Sequence, residues 1–171
     1  MTGEKARATG VFKVDCYDSC GNLKWSAEES NLVVNVGLQQ MANSALAAGA
    51  QITTWYVGLY GAGASNTPAA GDTMSSHAGW TEFTSYSNST RGTASFATAT
   101  TANPSVVTSS ASPTSFSINT TGTVGGAFLT SSNTKGGTTG VLFSAADFTN
   151  GDRSVIAGDI VTVTYTFSLS A

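Results

Sequence analysis

The chain has 171 residues, of which 40% are hydrophobic and only 10% charged, so it can bury a core and is no disordered tail. Its net charge is −3 and its seven Lys and Arg form no run, which excludes the basic footprint that nucleic-acid binding requires. No apolar run approaches the roughly 20 residues that span a bilayer, and the opening MTGEKARATG lacks the apolar segment of a secretory signal. A product made in the cytoplasm, with neither nucleic acid nor membrane as partner, is the expectation.

Residues 1–10 are polar, carry Lys5 and Arg7, and read as an N-terminal arm; residues 11–171 read as one domain. VFKVDCYDSCGNLKW then predicts a hairpin. Phe12, Val14 and Cys16 alternate with Val11, Lys13 and Asp15, and the stretch from Asp18 to Asn22 supplies turn chemistry. Cys16 and Cys20 leave two readings, a small disulfide loop or two reduced thiols, and a cytoplasmic setting favours the thiols. A metal site needs more ligands, and His77, the only histidine, lies far along the chain.

SNLVVNVGLQQMANSALAAG predicts one short helix near residues 36–48, with Asn35 as N-cap and Gly49 at its end. Val36, Gln40 and Asn43 fall on one side. Val33, Leu38, Met41, Ala42, Ala45 and Leu46 fall on the other, the side expected to pack. ITTWYVGLYG reads as a central strand with apolar groups on both faces. AGASNTPAAGDTMSSHAG is a long loop of small residues, a kind of segment that often carries function.

The second half is a string of strands: WTEFTSYS, TASFATAT, PSVVTS, TSFSINTT, VGGAFLTSS, GVLFSAADF and IVTVTYTFSLS. Gly, Asn, Pro and Ser clusters separate them at spacings that imply a mainly β fold, a β-sandwich of jelly-roll or Greek-key type. In the last segment Val161, Val163, Tyr165, Phe167 and Leu169 alternate with Thr162, Thr164, Thr166 and Ser168. One face is therefore buried and the other hydroxylated.

No catalytic constellation is legible, and no enzyme is expected. His77 sits in the polar loop with no G-x-S-x-G around any serine. Glu82 with Asp72, and Asp147 with Asp152, are nominal carboxylate pairs, but sequence does not show that they converge. The Asn150-Gly151-Asp152 and Gly158-Asp159 stretches lack the offsets of a calcium loop and read as turns. Neither cofactor nor metal is expected. Trp55, Tyr60 and Trp80 read as core or interface filler; beside the long loop they are also candidate contact anchors, together with Lys5, Arg7 and His77.

Several phrases resemble, in order, a family of small tailed-bacteriophage virion proteins. KWSAEESNLVVNVGLQQMANSAL is similar to their hairpin that runs into a short helix. ITTWYVGLYGAGASNTPAAGDTMSSHAGWTEFTSYSNSTR is similar to the strand, small-residue loop and acidic strand that follow. SFSINTTGTVGGAFLTSSNTKGGTTGVLFSAADF and SVIAGDIVTVTYTFSLS are similar to their closing strands. The resemblance implies a virion structural protein, a capsid cement or decoration protein that binds the major capsid protein and itself, as a dimer or trimer on the capsid exterior. A head or tail fibre adhesin reading host glycans is the alternative. The resemblance brings no catalytic residues.

Overall fold

A computed structural model describes residues 5–61 and 67–171. Twelve strands and one helix follow in chain order: β1 (Arg7–Tyr17), β2 (Leu23–Ser30), β3 (Leu32–Val33), α1 (Asn35–Leu46), β4 (Trp55–Gly61), β5 (Glu82–Phe83), β6 (Gly92–Ala94), β7 (Ser105–Thr108), β8 (Thr114–Ser117), β9 (Gly122–Thr130), β10 (Leu142–Asp147), β11 (Arg153–Val155) and β12 (Ile160–Ser170). They form two antiparallel sheets facing each other as a β-sandwich.

The first sheet runs β2-β1-β12-β7, with β8 also on β12. Its backbone is the β1–β12 ladder, which pairs Arg7 with Ser170 at one end and Tyr17 with Ile160 at the other. Phe12, Val14, Cys16, Val161, Val163 and Tyr165 point into the sandwich and are buried. The opposite face carries Thr162, Thr164 and Thr166 beside Asp15, Lys13 and Val11. The period-2 pattern in the sequence thus becomes one wet and one dry face.

The hairpin turn forms because the Asp18 carboxylate accepts the backbone N–H of Cys20 at 2.8 Å and of Asn22 at 2.9 Å. Gly21 supplies the left-handed position, φ +85°. Residues 7–10, expected in the arm, instead open β1: β12 offers Arg7, Ala8, Thr9 and Gly10 a full set of partners, and a paired strand replaces a free segment. Residues 1–4 of that arm lie outside the described residues.

The second sheet runs β3-β10-β9-β4-β5, with β11 on β9 and β6 on β4. Both of its faces are covered. Val57, Leu59, Ala127, Leu129 and Ala146 join the core between the sheets. Tyr60, Phe128, Leu142 and Ala145 face outward into a second apolar cluster, closed by Val34, Met74 and Trp80. Gly58 permits this, since a side chain there would overlap the Phe128 ring of the neighbouring strand.

The chain crosses from one sheet to the other at Asn31. Its backbone N–H donates to Gly10 O at 2.9 Å, and its Nδ2 donates to the Tyr165 hydroxyl at 2.7 Å. The segments WTEFTSYS and TASFATAT, expected as full strands, form only the two-residue β5 and three-residue β6. β3 and β11 were not expected, and each is three residues or fewer.

Candidate contact surfaces

The expected helix forms, but its packing face is rotated from the expected one. Val34, not Asn35, is the capping residue, and the Asn35 N–H donates to Ala70 O at 2.8 Å. Gly37 is the buried residue of α1, and it lies against the backbone of Phe143 in β10. Without a side chain at Gly37 the helix settles onto the sheet along the Gly37–Met41 line. The stripe Leu38, Ala42, Ala45, Leu46, at i, i+4, i+7 and i+8, consequently faces outward. Leu46 is 91% exposed and Leu38 45%. Leu32, 37% exposed, joins Leu38 in a groove that also takes in Arg7, Thr9 and Val11.

Residues 62–66 of the expected long loop lie outside the described residues; the rest of it, 67–79, is anchored by the aromatics proposed as contact residues. Trp80 is buried against Tyr60 and Phe128, with ring centroids 5.3 and 5.0 Å away. Its Nε1 donates to Asp72 Oδ2 at 3.1 Å, and the same oxygen accepts the Ala69 N–H at 3.0 Å. His77 stacks on Trp80 at 3.9 Å and its Nδ1 lies 2.7 Å from Trp80 O. Tyr60 is fully buried and donates to Asp147 Oδ1 at 3.1 Å. Tyr60 and Trp80 therefore hold the loop onto the sheet and present no outer surface, which corrects their expected role as contact anchors. His77 is half-buried, Trp55 is half-buried elsewhere, and Lys5 and Arg7 are exposed.

The carboxylates are distributed among structural tasks. Glu82 is locked to the buried Arg91 by two bonds, Nε to Oε1 at 2.9 Å and Nη2 to Oε2 at 2.7 Å. Arg91 also donates to Ser132 O and Gly137 O, and its guanidinium lies 5.2 Å from the Phe128 ring centroid. Lys135 donates to Tyr86 O and Asn88 O, so the 131–140 loop is tied at two points to the segment around β5 and β6. Glu82 and Asp72 accordingly serve different partners and form no pair.

Asp147 lies close enough to Asp152 and Glu29 to feel both. Burial holds its pKa above the usual carboxyl value; the Tyr60 hydroxyl opposes that, and the two neighbouring acids add to it. Burial likewise pushes the Tyr60 hydroxyl up, with Asp147 adding. Glu29 accepts the N–H and hydroxyl of Thr149. Among the described residues no group of three or more His, Cys, Asp or Glu is arranged to hold a metal ion.

Gly151 and Gly158 both adopt positive φ, as the turn reading of their segments requires. Asp159 is buried beside its turn. Its Oδ2 accepts from Lys24 Nζ and from the Ile156 N–H at 2.8 Å, and it faces Cys16 Sγ at 3.7 Å. Burial, then the Asp159 charge, pushes the Cys16 thiol up to about 11. Both cysteines are free, Cys16 buried and Cys20 exposed.

At one end of the sandwich, residues of both sheets line an open cleft of about 380 Å³. Trp55, Leu129 and Phe143 line it from the second sheet, and Val107, Tyr165 and Phe167 from the first. Trp55 meets Phe143 edge-on at 5.2 Å, and Phe143 meets Phe167 edge-on at 5.4 Å. Nothing local in the sequence marks this group, since its members come from strands that meet only through long-range pairing. Trp55 is the one member among the contact candidates named from the sequence; Tyr165 and Phe167 were expected only as core-facing residues of the last strand.

No helix among the described residues is long and apolar enough to cross a membrane. Neither a family model, nor a curated protein, nor a solved structure matches the chain.

Proposed function

We propose that this protein is a bacteriophage capsid cement or decoration protein, bound to the major capsid shell on the virion exterior and stabilising it through protein–protein contacts. The observation that carries the reading is the outward stripe Leu38, Ala42, Ala45, Leu46 on α1. A 12-residue helix is marginal alone in water and depends on burying an apolar face. Here part of that face is left bare, and covering a leucine is worth about 1.5–3 kcal/mol.

The chain's overall composition supports the same reading, because with only 10% of residues charged its surface suits close packing against neighbours. The resemblance to tailed-phage virion proteins supplies the particle. A self-associated dimer or trimer gripping several shell subunits would gain further through effective concentration. The glycan-reading alternative has weaker support, because Tyr60 and Trp80 form no exposed aromatic platform.

Sedimentation with expanded capsid shells tests the proposal. The unaltered chain should co-sediment at a stoichiometry on the scale of the shell's own subunits. Leu38→Glu with Leu46→Glu should remain folded and stay in the supernatant. A folded double variant that binds as well as the parent would remove α1 from the contact. A parent chain that never binds the shell would end the capsid reading.

A further inference from the structure

We propose that the cleft between the two sheets at one end of the sandwich is a binding site for one small, uncharged apolar molecule, an alkyl chain or a flat aromatic ring system. This stands apart from the shell-binding proposal, since neither α1 nor the threonine face of the first sheet contributes to it.

Three properties define the ligand. The first is size: about 380 Å³ falls within the range of small-molecule sites and exceeds the voids left by ordinary packing. The second is charge. None of the lining residues is acidic, basic or histidine, so a charged ligand would lose its hydration without gaining a partner. The one ionisable lining group, Tyr165, has its hydroxyl engaged by Asn31 at 2.7 Å and Ser144 at 3.2 Å. The third is shape. Trp55, Phe143 and Phe167 form a chain of edge-to-face rings, and Phe96 meets Tyr165 edge-on at 6.2 Å across the site. Such an array offers both ring faces and ring edges, which suits a further ring or a methylene chain.

The entrance is also defined. Gln51 and Thr53 are exposed and Ile52 half-exposed, on the irregular segment that leads into β4. They place two polar side chains at the rim of a mostly apolar interior, so a ligand with a single hydroxyl or neutral aromatic amino group at one end would fit best. The apolar and aromatic side chains deeper in the cleft give water few hydrogen-bond partners, so displacing it there favours an apolar guest.

The test uses the full chain and neutral 1-aminoanthracene, whose fluorescence rises in apolar surroundings. Saturable binding at one site per chain is expected, with decan-1-ol competing. In the unaltered protein, amide NMR shifts on saturation should centre on residues 51–55, 96, 107, 143 and 165–167. Ile52→Trp fills the cleft from its irregular rim, and Val107→Trp fills it from β7. Each should weaken binding by about tenfold or more. Leu46→Glu, on the exposed helix stripe, should leave it unchanged.

Absence of saturable binding would overturn the proposal. So would shifts centred on α1, or filled variants that fold and bind as the parent does.

Discussion

Gly37 of α1 packs directly on the carbonyl group of Phe143 in β10, so closely that a single methyl group at position 37 would overlap the carbonyl oxygen. The obstacle is backbone and cannot rotate aside. In an exposed helix, Gly→Ala gains about 1 kcal/mol. Here Gly37→Ala is expected to reverse that sign and cost about 1–3 kcal/mol, the usual range for overpacking. Urea denaturation measures it. A variant more stable than the parent would show that α1 does not depend on this approach.

Arg91 and Glu82 form the most heavily bonded ion pair among the described residues. Removing the guanidinium leaves a buried carboxylate without its partner and frees the carbonyls of Ser132 and Gly137. Arg91→Ala is expected to cost about 3–5 kcal/mol. Arg91→Lys should recover only part of this, because an ammonium cannot make the two-pronged contact. Denaturation of Arg91→Ala, Glu82→Ala and the double variant should show strong coupling, the double costing clearly less than the sum.

Asp147 gives a pH dependence of definite sign. Its folded pKa lies above the usual 3.8, so the folded state holds the proton more tightly than the unfolded one. The penalty is absent below 3.8 and grows as pH rises through the folded value. Asp147→Asn keeps an oxygen for the Tyr60 hydroxyl and removes the charge. Its melting temperature should exceed the parent's at pH 7 and match it near pH 3. Equal melting temperatures at both pH values would refute the assignment.

The two thiols should react in sequence. Cys20 sits exposed on the turn, whereas Cys16 is buried and its thiol, raised to about 11, stays protonated at neutral pH. An aromatic disulfide reagent should titrate one thiol in the native protein and two in denaturant. Two fast thiols in the native state would mean that β1 opens beside Asp159.

Much of the first sheet was legible in the sequence, because its information is local. In β12 Val161, Val163 and Tyr165 are buried, as the alternation predicts, whereas Phe167 is only half-buried beside the cleft and Leu169 is 40% exposed, which corrects the expected burial of that end of the strand. The second sheet was harder to read. Its strands are buried on both faces, and a continuous apolar run does not show which side a residue takes. Tyr60 and Trp80 illustrate the difficulty. Beside a polar loop they look like surface anchors, and only the pairing of β4 with β9 sets Phe128 on the outer face next to Tyr60, where Trp80 closes over both.

The helix face failed for a related reason. Leucine and alanine periodicity favours the Leu38–Leu46 side, whereas the fit is decided by Gly37, which a hydrophobic pattern leaves unweighted. The cleft was invisible because its rings converge from β4, the segment after β6, β10 and β12, far apart along the chain.

The β1–β12 ladder has a mechanical consequence. Arg7 and Ser170 sit opposite each other at the same end of two antiparallel strands. A force that separated them would load the ladder one rung at a time, like a zipper, and would never stress all the rungs together in shear. Drawn apart at these two points, the molecule should yield at low tension. Gripped instead at Arg7 and Ile160, from opposite ends of the same ladder, it should resist far more strongly.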